Sequence, residues 1–252
     1  VAKLSNFLKL VQNESQKLYK KKSFFIAYAI MAIMAIAAAI IINQTVLREN
    51  MGATDYVNLI LGLDGFGSIF VLIAIIFTAS IVTIEHQLGT IKFLLIRAHS
   101  RSTILASKYV TLILYIIALM LFTSIIALVM GVLLLDTSNL SITLVVKNIG
   151  NTLLYTVVYA TLMFMFGVLT RSMGATIGIG LVLNFVEGIF VMLLSRYEWA
   201  KYTLFLNTDL SAYDNGGAPM EGMTIGFSSI MIVLYIALFL TISFAVFNKR
   251  DI

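Results

Sequence analysis

Charge is scarce in this sequence. Only 12% of its 252 residues are charged, against about 25% in an ordinary soluble domain. At 60% hydrophobic residues and a mean hydropathy of +1.01, the chain reads as an integral membrane protein. Cysteine is absent, which excludes a disulfide framework and a thiolate metal site. The two histidines, His86 and His99, are 13 residues apart and match no local metal motif, so no metal is expected. Proline occurs once, as Pro219, in a stretch that reads as a loop. No GxxxxGK[ST], HExxH or GxSxG pattern occurs, so this chain is not expected to hydrolyse ATP or to act as a common hydrolase.

What the sequence does have is long apolar runs. Six of them, Ser23–Ile42, Phe66–Ile84, Tyr109–Leu135, Ile149–Leu169, Met173–Leu194 and Ile225–Phe247, contain 19 to 27 residues each and no proline. About 20 residues of helix cross the hydrocarbon, so each run predicts one span. Ahead of them, Leu4, Phe7, Leu8, Val11 and Leu18 recur at helical spacing over residues 3–20, with Lys3, Lys9, Gln12, Gln16, Lys17 and Lys20 around the other side. That pattern predicts a helix lying in the membrane interface, closed by the basic run Lys20 to Lys22 and poorly suited to be a signal peptide.

The basic residues are sorted by loop. Thirteen of the 17 fall in the N-terminal segment, the connection between spans 2 and 3, the turn at Arg171 and the tail. Lys and Arg accumulate on the cytoplasmic side, so both termini are expected there. The same sorting explains the net charge of +5 without a nucleic-acid surface. The other side carries 43–65, the short connection 136–148, and 195–224 with Tyr197, Trp199, Tyr202, Phe205 and Tyr213, aromatics suited to the headgroup layer.

The longest basic insert between two apolar runs is Glu85 to Lys108. Gly89 and Thr90 form a helix start, and Ile91, Leu94 and Leu95 then gather on one apolar face, with Lys92 and Arg97 off it. Such a stripe needs a partner's groove or the lipid surface. Glu85, Gly89-Thr90, Leu94-Leu95, Ser100-Arg101, Ile104-Leu105 and Lys108 together resemble the segment after the second span of type-2 ABC exporter permeases.

The resemblance implies an all-α membrane protein: a single transmembrane domain over 1–252, with an N-terminal interfacial elbow helix (1–22), a six-span bundle (23–247) and a cytoplasmic tail (248–252). It implies a cytoplasmic coupling helix between spans 2 and 3, with Glu85, Gly89, Thr90, Ile91, Lys92, Leu94, Leu95, Arg97 and Arg101 meeting a separate ABC ATPase subunit. ATP and Mg would be bound by that partner. A second permease subunit, identical or similar, would complete the path in a bacterial plasma membrane. The small outer loops resemble the branch handling amphipathic or antimicrobial peptides; the apolar interior itself suits a hydrophobic cargo.

Polar residues within the spans are few. Asn151, Thr152, Tyr155 and Tyr159 lie in the fourth, and Asn184 and Glu187, three residues apart on one helix face, lie in the fifth. Asn151, Tyr155, Asn184 and Glu187 are the candidates for the translocation path; interhelical hydrogen bonding is the plainer use of such groups. Gly174 and Gly178 form a small-xxx-small pair for helix packing, within one chain or at a dimer seam. Two other classes compete with the exporter: an ion-coupled transporter or channel working through Glu187, and a membrane scaffold or sensor subunit without transport of its own.

Overall fold

The computed structural model describes residues 2–45, 47, 51–87, 100–138, 140–214 and 217–249. These residues form an all-α protein. Its elements are α1 (Ala2–Tyr19), α2 (Lys22–Gln44), α3 (Ala53–Leu61), α4 (Ser68–Gln87), α5 (Arg101–Leu134), α6 (Ile142–Thr170) and α7 (Met173–Leu194). Then come a 3-10 turn (Glu198–Tyr202), the one-turn helix α8 (Leu204–Thr208), a second 3-10 turn (Leu210–Tyr213) and α9 (Ile225–Lys249). Six of these, α2, α4, α5, α6, α7 and α9, are long and apolar enough to cross a membrane, as the six runs predicted.

The boundaries differ from the apolar runs where helix continues past the greasy stretch. α5 starts at Arg101 rather than Tyr109, because Ile104 and Leu105 are buried and reward a helical turn among polar neighbours. α6 likewise starts at Ile142 rather than Ile149, and α9 runs through Asn248 and Lys249. A further helix, α3, occupies part of the segment read as a loop. Its Tyr56, Val57, Ile60 and Leu61 are all buried, and the Asp55 carboxylate accepts from the Gly52 N–H at 3.1 Å to cap its start.

The chain divides into two compact units. One comprises Ser15–Phe70 and Leu114–Leu153. Here the Tyr56 hydroxyl donates to Ala35 O of α2 at 2.7 Å, and burial pushes its phenol up to about 12. Ala53 N–H donates to Asp136 O at 2.8 Å, Thr152 Oγ1 to Leu61 O at 2.6 Å, and Asn148 Nδ2 to Asn58 Oδ1. Asp136 itself accepts from the Ser138 backbone and hydroxyl, which hold its carboxyl below the usual range. Phe24, Tyr28, Tyr115 and Phe122 pack ring on ring between α2 and α5.

The other unit comprises Val1–Glu14, Val71–Ile113 and Leu154–Ile252. Arg171, at φ 53, takes the left-handed conformation that ends α6, and Ser172 caps α7 by accepting from Ala175 N–H at 3.4 Å. α7 is the least enclosed of the six spans. Its buried residues are Thr176, Gly180 and Glu187, while Val182, Phe185, Ile189 and Met192 are exposed. At Gly180 a Cβ would stand 2.6 Å from Met163 Sδ and 2.7 Å from Ile75 Cγ2, so only glycine permits this approach.

Candidate functional site

Two buried polar clusters stand out, both inside the second unit described. The first joins three helices. Lys108, on α5, extends its ammonium to Glu85 Oε2 of α4 at 2.8 Å and to Glu14 Oε2 of α1 at 3.1 Å, and donates to Ile81 O at 3.3 Å. Lys108 is 4% exposed, Glu85 7% and Glu14 9%, so the charges are removed from water. Such a cluster holds only while its members compensate one another, since a buried charge stripped of its partner costs about 3 to 5 kcal/mol. Thr111 Oγ1 adds a bond from α5 to Val11 O of α1 at 3.4 Å. The start of α5 also meets the end of α9, through Ser102 Oγ to Asn248 Oδ1 at 3.1 Å and Arg101 Nη1 to Asn248 O at 3.4 Å.

Glu14 was missed in the sequence, although it left a signal. It falls three residues after Val11 and four before Leu18, on the face that turns inward, and Val11 and Leu18 are both buried. Leu8, placed on that face by its spacing, is 58% exposed.

The second cluster surrounds Glu187. Its Oε2 accepts from the hydroxyls of Tyr155 and Tyr159, the latter at 2.6 Å, and its Oε1 from Thr208 Oγ1 at 2.8 Å. Tyr155 and Tyr159 are one turn apart on α6, with ring centroids 5.0 Å apart. A carboxylate at bilayer depth costs about 2.5 to 3.5 kcal/mol on insertion scales. Hydrogen bonds to a charged group return about 1.5 to 3 kcal/mol each, so three of them suffice to hold it there. Next to Thr208, Asn207 donates to Lys201 O and Thr203 O, both at 2.7 Å, and accepts from Ser228 Oγ of α9 at 2.8 Å. The stretch 200–208 is thereby fastened to α7 and α9, and through the Glu187 carboxylate to α6.

Of the path candidates, Tyr155 and Glu187 come together; Asn151 lies one turn before Tyr155, and Asn184 makes no hydrogen bond among the described residues. Tyr159 joins the site, as does Thr208, the last residue of the one-turn helix α8, which no periodicity announces. Gly174 and Gly178 have no described atom within 4 Å of an added Cβ. Gly89, Thr90, Ile91, Lys92, Leu94, Leu95, Arg97 and His99 lie outside the described residues. The described residues contain no grouping of three or more His, Cys, Asp or Glu that could hold a metal.

Comparison with known proteins bears on the whole chain. It is 34% identical over 201 residues to the uncharacterized protein YhcI of Bacillus subtilis (strain 168), which covers 72% of this chain and 64% of YhcI. The chain thus spans less than two thirds of that relative. It is 29% identical over 248 residues to the uncharacterized membrane protein YdbK of the same organism, covering 94% of this chain and 99% of YdbK. A family model matches residues 24–252, a range that takes in α3 through α9 and nearly all of α2. This six-span, multi-pass membrane protein therefore belongs to the family described as Protein of unknown function (DUF2705).

Proposed function

We propose that the chain is the membrane-spanning subunit of an ATP-driven exporter built on the type-2 ABC plan. The observation that carries this reading is the ion pair between Glu85 and Lys108. These residues open and close the motif that runs from the end of α4 to the first turns of α5, so the pair draws the two ends of the connecting loop together. Glu14 adds α1 to the same junction. In this reading α1 is the elbow helix on the cytoplasmic surface, the loop carries the coupling helix, and movement of a docked ATPase reaches α1, α4 and α5 through one buried junction. ATP and Mg are held by that ATPase. The sorting of Lys and Arg supports cytoplasmic termini.

A second permease subunit completes the path. The bare face of α7 at Gly174 and Gly178 has room for the close helix approach that such residues favour. The apolar span surfaces suit amphipathic peptides or other hydrophobic cargo. The ion-gradient reading draws less support, because Glu187 commits both carboxylate oxygens to three hydroxyls.

The test is purification of the tagged full chain from membranes of its native host. A phosphate-loop ATPase that hydrolyses ATP should accompany the chain and be lost on Leu94→Asp with Leu95→Asp, while the variant still inserts. A chain that purifies without ATP hydrolysis, or a complex that survives both substitutions, overturns the reading.

A further inference from the structure

Residues 195–201 and 220–222, between α7 and α9, line a half-open cleft of ≈ 400 Å³, within the size range of small-ligand sites. Arg196 and Lys201 supply positive charge to its wall, Glu198 and Glu221 negative charge. Among the described residues none of these four forms an ion pair with another. Exposed opposite charges gain little from closing on one another, so both signs stay available to a ligand. Here the Lys201 ammonium lies over the Tyr202 ring, 5.4 Å from its centroid, and Arg196, Glu198 and Glu221 are exposed. Glu198 and Lys201 lie on one 3-10 turn, whose Lys201 carbonyl is tied down by Asn207 and whose Ala200 is buried against Leu206 and Met223. The facing wall turns at Gly222, with φ +81 and open space where a Cβ would stand.

Depth narrows the choice of occupant. The cleft begins at Ser195, the residue after the last of α7, and so at the polar end of a membrane span. Tyr197, Trp199 and Tyr202 beside it are each more than half exposed, and exposed Tyr and Trp belong to the headgroup layer. Below, the final turns of α7 expose Ile189, Met192 and Leu193, an apolar surface for hydrocarbon chains. An anionic headgroup would satisfy the two cations and confront the two carboxylates with a like charge. A headgroup carrying phosphate and ammonium satisfies all four.

We propose that this cleft binds the headgroup of a zwitterionic phospholipid of the phosphoethanolamine class, with the phosphate on Arg196 and Lys201, the ammonium on Glu198 and Glu221, and the chains along α7. The assignment stands independently of the transport reading.

Trp199, the sole tryptophan of the chain, reports on the site. The purified full chain in nonionic detergent is titrated with short-chain phosphatidylethanolamine, short-chain phosphatidylglycerol and chain-free phosphoethanolamine, following Trp199 fluorescence. Saturation is expected with the zwitterionic lipid, at least roughly tenfold tighter than with the other two. Arg196→Gln should weaken it by about tenfold or more, and Glu198→Gln with Glu221→Gln should turn the preference toward phosphatidylglycerol. The two variants are read separately, so a folding defect in one leaves the other decisive. Equal binding of both lipids, or curves that neither variant moves, overturns the proposal. Phosphoethanolamine binding as tightly as the lipid would assign the cleft to a soluble zwitterion and overturn the lipid assignment.

Discussion

Lys108→Met removes the ammonium shared by Glu14 and Glu85 while keeping most of the side-chain volume. Both carboxylates stay buried, and each loses a charge that now stands within about 3 Å of it. Loss of one partner of a buried ion pair costs about 3 to 5 kcal/mol, and in a chain of this size each kcal/mol lowers Tm by about 2 to 4 °C. Lys108→Met should therefore melt about 6 to 20 °C below the parent when unfolding of the detergent-solubilised chain is followed by circular dichroism. The triple variant Glu14→Gln, Glu85→Gln, Lys108→Met removes all three charges and should melt nearer the parent than the single variant does, since the penalty lies in two buried carboxylates that have lost the ammonium between them. A single variant within about 2 °C of the parent, or a triple variant as unstable as the single, would refute the argument.

Four further outcomes are expected. Tyr159→Phe removes one donor from the Glu187 carboxylate and should cost about 1.5 to 3 kcal/mol, read as a lowered Tm. Gly180→Ala forces a Cβ against Met163 and Ile75 and should destabilise by about 1 to 3 kcal/mol, whereas Gly174→Ala and Gly178→Ala should leave the melting of the detergent-separated single chain unchanged. The same two alanines should weaken self-association, measured by cross-linking in membranes, if a second subunit packs on that face. Arg171→Gly relieves a left-handed backbone and should raise Tm by a few degrees, for a gain of about 1 kcal/mol.

The six spans were legible because a bilayer demands about 20 apolar residues in a row, and nothing else in the chain has that length. The start of α5 was not, because hydropathy marks where lipid begins rather than where helix begins. Arg101, Ser102 and Lys108 are polar, and the helix there is fixed by Ile104 and Leu105 packing inward. α3 was hidden by its shortness, and its stabilising bonds go to residues more than 20 positions away. Glu85 was conspicuous at the end of an apolar run beside the basic residues of its loop, a place that suits a salt bridge or a helix cap; that its partner is Lys108, shared with Glu14, depends on the approach of α5 and α1. Glu187 was conspicuous as the only acid within the six apolar runs. Thr208 was not, because a contact between a span and a one-turn helix 21 residues later has no periodicity to betray it.

The narrow line by which α7 meets its own unit has one more consequence. Thr176, Gly180 and Glu187 are spaced by four and seven residues, so they lie along one strip of the helix. In lipid the hydrophobic effect does not choose which side of an apolar helix faces the protein, since lipid tails are as apolar as leucine. The azimuth of α7 is therefore set by a hydroxyl, a missing Cβ and a carboxylate. Replacing Glu187 with leucine and Gly180 with alanine would leave the helix fully able to span the bilayer, yet free to roll, so that Phe185 and Met192 would no longer face a fixed direction.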